Sequence, residues 1–203
     1  MAESKIKRYK RYVRYSVQAI KESLKGLDFT MRDTHLIEET GGGMHGYSKT
    51  DDKHVRDIFR QLDYNKCHSL LDVGCGKGVV LREAQKFPFT KTDGFDIDSN
   101  LVRIAKKNFK ILKMNNIRLS VGDATKFRKY NDYNVLYFFN PFDEELMDIT
   151  LGRIFQDRNE PAWIILHNPV SAKLVEKYNC KEIARLYDKV KSYETRIYKW
   201  ENY

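Results

Sequence analysis

Gly74, Gly76 and Gly78 stand at alternate positions directly after the short apolar run 69–73. A backbone without Cβ atoms can turn sharply off a strand and approach a ligand closely. Residues 79–85 then have helical spacing, so 69–85 reads as strand, tight loop and helix. The first N–H groups of such a helix lack intrahelical partners and are expected to face the loop as free donors. In open α/β sheets this unit puts a ligand at the carboxyl edge of the strands.

The chain keeps the same alternation beyond the loop. Residues 91–97, 117–121, 133–139 and 162–167 read as strands, with helices at 101–109, 144–155 and 171–178 between them. Strands that alternate with helices imply a parallel sheet covered on both faces. The ending differs: strands at 182–187 and 193–200 are joined by a connection too short for a crossover, which makes them antiparallel. The expected fold is α/β, a doubly wound and mostly parallel seven-stranded sheet with an antiparallel last strand, preceded by a helical extension.

That extension is unlike the rest. Ile6, Tyr9, Val13, Val17, Ile20 and Leu24 recur at steps of three and four, an amphipathic helix that stops near Gly26. Residues 1–25 hold eight Lys/Arg against Glu3 and Glu22, so +6 of the formal +9 charge lies there. The aliphatic stripe is expected to dock on the domain, leaving a solvated basic face. Nucleic acid is the alternative partner, bound through Tyr9, Tyr12 and Tyr15 among the Lys and Arg, and anionic lipid or an acidic glycan precursor would be drawn by the same charge. Residues 27–50, with Gly41-Gly42-Gly43 and Gly46, read as an irregular linker or lid. Asp51 or Asp52 can then cap a helix reaching about Leu62. The chain therefore divides into a basic helix with linker at 1–50 and a Rossmann-like domain at 51–203.

Several classes are excluded by composition. With 41% hydrophobic and 32% charged residues in 203, the chain is globular and sized for one core. No apolar run reaches the roughly 20 residues of a membrane span, and the basic start lacks the apolar core of a secretion signal, so a cytoplasmic location is expected. Cys67, Cys75 and Cys180 form no CxxC pair, and the five histidines form no HxH or HxxxH pair, so no metal site is expected.

Two cofactor classes use a glycine loop of this kind. A dinucleotide loop wants GxGxxG, whereas this chain has Val79 where the third glycine would fall. The run Asp72-Val73-Gly74-Cys75-Gly76-Lys77-Gly78 instead resembles the first motif of the class I S-adenosylmethionine-dependent methyltransferases. That resemblance implies that Asp72, Gly74, Cys75, Gly76 and Gly78 hold the methionine part of the cofactor. It extends to the next strand ends. Asp96, with Ile97 after it, matches the family's acidic ribose ligand, while Asp98 is the weaker candidate and can instead cap the following helix. Gly122-Asp123-Ala124 matches the adenine-binding turn, with Asp123 and Ala124 as the contacts. Asn140-Pro141-Phe142 is similar to the Asn-Pro-Pro-aromatic motif of amino-group methyltransferases, though with one proline only, and implies that Asn140 borders both methyl group and acceptor.

The function implied is methyl transfer from S-adenosylmethionine to an undetermined acceptor: a small molecule or sugar intermediate, a protein amine or a nucleic-acid base. A nicotinamide-dependent oxidoreductase and a non-catalytic S-adenosylmethionine-binding module are the alternatives. The sulfonium is already activated, so alignment and exclusion of water can suffice and a strong base can be absent. His45, Tyr47 and Lys49 either touch cofactor or acceptor from a lid or stand exposed on a linker.

Overall fold

The computed structural model describes residues 5–31, 47–139, 143–169 and 172–201. Its elements are α1 (Lys5–Ser23), α2 (Asp52–Phe59), β1 (Ser69–Val73), α3 (Val79–Ala84), β2 (Lys91–Asp96), α4 (Ser99–Ile111), β3 (Ile117–Val121), β4 (Val135–Phe139), α5 (Glu144–Phe155), β5 (Ala162–His167), α6 (Ala172–Lys177), β6 (Lys181–Tyr187) and β7 (Glu194–Trp200). They match the expected elements to within two residues at most ends. α2 is shorter than expected: it stops at Phe59, although Leu62 still packs into the core.

The seven strands form one sheet in the order β3-β2-β1-β4-β5-β7-β6. The first five are parallel, and β7 enters antiparallel between β5 and β6. Every residue of β1 and β5 is buried, as befits central strands covered on both faces. Alternate side chains serve two cores. Leu70, Val135 and Tyr137 pack with Val55, Phe59, Leu81 and Phe109 on one face. Leu71, Val73, Leu136 and Phe138 pack with Leu151, Ile154 and Val175 on the other. The chain leaves β1 toward β2 and β3 on one side and later toward β4 and β5 on the other, so the order reverses beside β1. That reversal opens a crevice at the carboxyl ends of the strands.

α1 docks the other way round from the expectation. Ile6, Tyr9, Val13, Val17, Ile20 and Leu24 are exposed, whereas Glu22 is buried and Arg11, Tyr15, Gln18 and Ala19 are half-buried. Polar chemistry explains the inversion. Glu22 accepts from the backbone N–H groups of Phe29 (3.0 Å) and Thr30 (2.8 Å) and from the Thr30 hydroxyl (2.8 Å). Lys49 Nζ lies 3.8 Å from it, and Arg14 reaches Asp51 at 2.7 Å. These bonds fix α1 by its polar face and turn the aliphatic stripe to solvent.

Candidate active site

The loop after β1 has its tight geometry from glycine. Gly74, Gly76 and Gly78 all lie at positive φ, which other residues adopt only with strain. A Cβ on Gly76 would meet the Tyr47 ring at 2.5 Å, and one on Gly78 would meet Phe109 at 2.5 Å. The donors of this loop are not free. Gly74 and Cys75 both donate to the Phe95 carbonyl, Gly78 donates to that of Cys75, and Gly76 donates to the Asp96 carboxylate at 2.8 Å. These four bonds tie the loop to itself and to the end of β2; the first N–H groups of α3, at Val79 and Val80, are not among those engaged.

Carboxylates border it instead. Asp72, on β1, is buried with no partner for Oδ2. Burial and the neighbouring Asp96 hold its carboxyl well above the usual carboxylate range. Asp96 accepts from Gly76 N–H through Oδ2 and from Asp98 N–H at 2.9 Å through Oδ1. Burial raises it as well, against the lowering effect of those bonds. Asp98 takes the capping role, accepting from Asn100 N–H (2.7 Å) and Leu101 N–H (3.3 Å) at the start of α4.

These groups line one cavity of about 220 Å³ at the carboxyl edge of the sheet, together with Gly74, Cys75, Gly76, Ile97, Asp123 and Ala124. Gly78 is not in the lining; it sits just behind, as the left-handed residue that starts α3. Asp123 is held by the Thr125 hydroxyl (2.7 Å) and by Lys126 (3.1 Å), and the Thr125 bond leads in pulling its carboxyl below the usual range. Asn140 lies outside the described residues, as does His45.

At the far end of the cavity, Tyr47 and Lys49 follow the lid alternative of the sequence reading, and the other lining residues have no counterpart in it. Tyr47, Ser48, Lys49, Thr50, Tyr137, Phe139 and Leu146 form that end. Tyr47 and Lys49 are thus no exposed linker: Tyr47 lies on the glycine loop and donates to the Phe29 carbonyl, and Lys49 pairs with Asp52 at 2.9 Å. The Phe139 ring meets His167 (4.4 Å between centroids) and Tyr193 (6.0 Å). Lys191 Nζ donates to the Ser48 hydroxyl at 2.6 Å and stands 5.6 to 5.8 Å from the rings of Phe139, Tyr193 and Tyr15. Behind these, the Thr195 hydroxyl lies between His54 Nε2 (2.7 Å) and His167 Nδ1 (2.8 Å), and His167 Nε2 is buried without a partner. Strand geometry puts Tyr137 and Phe139 on one face of β4, a placement that the strand's sequence register already carries.

The sequence profile of a family described as "Methyltransferase domain" matches residues 70–156, the stretch from β1 to the end of α5. It covers the glycine loop, Asp96 and Asp123 in the order that lines the cavity. The fold is that of the class I methyltransferases. Among solved structures, the methyltransferase domain of bacterial CtHen1 superposes with a TM-score of 0.61 at 14% identity, covering 74% of this chain and 98% of that one. An RNA methyltransferase from Salinibacter ruber in complex with S-adenosyl-L-homocysteine gives 0.58 at 17% identity, covering 75% and 92%. At such identities the likeness is one of fold. A ribosomal protein L11 methyltransferase of Acetivibrio thermocellus is 34% identical over 71 residues, which is 35% of this chain. The match spans 20% of that relative's length. In the methyltransferase fold the cavity lies where strand order reverses, at the carboxyl ends of β1, β2 and β4.

Proposed function

We propose that the cavity binds S-adenosylmethionine and that the protein transfers its methyl group to an acceptor entering beside Phe139. The observation that carries this reading is the orphan Oδ2 of Asp72 at the floor of the glycine loop. A buried, unpartnered carboxylate suits a cationic ligand and disfavours a pyrophosphate. S-adenosylmethionine brings an ammonium group and supplies, at its sulfonium, a methyl group activated for transfer.

The residues then divide the work along the cavity. Asp72, Gly74, Cys75, Gly76 and, through loop geometry, Gly78 receive the methionine end. Asp96 keeps lone-pair capacity for a ribose diol beside the bonds it accepts from the Gly76 and Asp98 N–H groups. Ile97, although apolar, is 43% exposed toward the cavity; with Ala124 it offers a slot for a planar base, and Asp123 an acceptor for its amino group. Asn140, next in the chain after Phe139, is the residue we assign to the acceptor. Alignment of the acceptor and exclusion of water by Tyr47 and Phe139 are the contributions of the chain to the transfer.

Titration calorimetry with S-adenosylmethionine and with NADH tests the reading. We expect heat from the first only; binding of NADH alone would overturn it. Asp96→Ala is expected to weaken S-adenosylmethionine binding by about 1–3 kcal/mol, and unchanged affinity would remove Asp96 from the site. Labelled-methyl transfer to fractionated RNA, protein and metabolites then identifies the acceptor.

A further inference from the structure

α1 is fixed by its polar face, so its opposite face is free. Ile6, Tyr9, Val13, Val17, Ile20 and Leu24 form a ridge along the helix, with exposures from 45% to 83%. At 1.5 Å per residue the ridge runs about 27 Å. Lys10, Arg14 and Lys21 fall in one row beside it, all exposed, with Arg14 partly neutralised by Asp51. Among the described residues of α1 the only carboxylate is Glu22, and it is buried on the docked face. The outward half of the helix is therefore aliphatic in the middle and cationic at the border.

We propose that this face seats α1 flat on an anionic lipid bilayer, with the ridge among the upper acyl chains and the lysine row at the headgroups. Both halves of the pattern are needed to choose this occupant. Nucleic acid would satisfy the lysines but give the aliphatic side chains nothing to pack on. A second copy would cover the ridge but set its own lysine row near this one, with like charges opposed. An anionic bilayer answers both at once: apolar depth for Ile, Val and Leu, negative headgroups for Lys, and an interfacial level suited to Tyr9. The inner face of the same helix carries Tyr15, whose ring faces Lys191 beside Phe139. Seating would bring the far end of the cavity within about one helix diameter, roughly 10–12 Å, of the headgroups.

Vesicle flotation of the full chain tests this, with phosphatidylcholine alone and mixed with phosphatidylglycerol. The protein is expected to float with the mixed vesicles, not with the neutral ones, and to be released by salt. Val13→Glu with Val17→Glu should lower the bound fraction at least about tenfold, and Lys10→Glu with Lys21→Glu should do the same. Neither pair touches the domain, so melting temperature should stay put; if the glutamates lower it, Val13→Ser with Val17→Ser carries the test. Wild-type protein that ignores the mixed vesicles overturns the proposal, as does a ridge variant that floats like wild type. A dimer in sedimentation velocity that the ridge variant abolishes would instead assign the face to a second copy. An RNA gel shift lost in the Lys10→Glu, Lys21→Glu variant but kept in the ridge variant would assign it to nucleic acid.

Discussion

At Asp72 the methyltransferase fold keeps a buried carboxylate with one oxygen unpartnered. Its raised pKa means that ionisation at neutral pH opposes folding. Asp72→Asn removes that charge at constant volume, so the ligand-free protein is expected to gain about 1–3 kcal/mol in urea denaturation. The same variant should lose S-adenosylmethionine binding in calorimetry. A variant that gains stability and still binds would show that Asp72 serves packing alone. The sequence makes Asp72 visible as the residue before Val73 and Gly74, but not as a carboxylate lacking a partner. The donors that might have served it are engaged by Phe95 and Asp96, some 20 residues away. Asp96 and Asp98 were separable from sequence because capping is local, and Asp98 does cap α4.

At the scale of elements, α1 shows where reading by periodicity fails. The rule that an apolar stripe faces inward rests on burial as the main driving force. Here Glu22 anchors the helix through bonds to residues 29 and 30 and through Lys49, and the stripe follows wherever that anchor turns it. None of those partners is within one helical turn, so no local pattern announces them. Glu22→Ala is expected to cost about 2–4 kcal/mol, read by urea denaturation, with faster hydrogen exchange at Phe29 and Thr30. Full stability and protected amides would mean that α1 is held by something else. The strands were more legible because each is short, apolar and bounded by turn residues. α5 was legible to the residue, since Asp143 accepts from the Leu146 N–H at its start.

For the whole molecule, the buried imidazoles set a pH limit. Burial leads in holding His54 below its ordinary value of 6.5 and His167 well below it. Above pH 6.5 these side chains are neutral in both folded and unfolded chains and contribute no slope. As pH falls below 6.5, the unfolded chain takes up protons that the folded one refuses, so stability is lost. Melting temperature is expected to decline from pH 6.5 downward, with His167 contributing up to about 1.4 kcal/mol per pH unit. Asp72 and Asp96 act with the opposite sign, because their raised pKa values favour the folded state as they protonate. The decline should therefore be steeper in Asp72→Asn; a flat profile in that variant would mean that the histidines are accessible to protons. His54 and Thr195 lie 141 residues apart in the chain, which is why neither drew notice as a pair.

The place of β7 in the sheet also sets an order of events during synthesis. β6 is made first, yet its only strand neighbour is β7, and β7 is also what covers the open side of β5. Until residues 194–200 have left the ribosome, the nascent sheet ends at β5 with its backbone donors and acceptors unsatisfied, and β6 has nothing to pair with. Of these seven strands, the last in chain order is an inner strand of the sheet. A stop codon shortly before Glu194 would thus leave an adhesive edge at β5 and an unpaired β6, a product for chaperones and proteases.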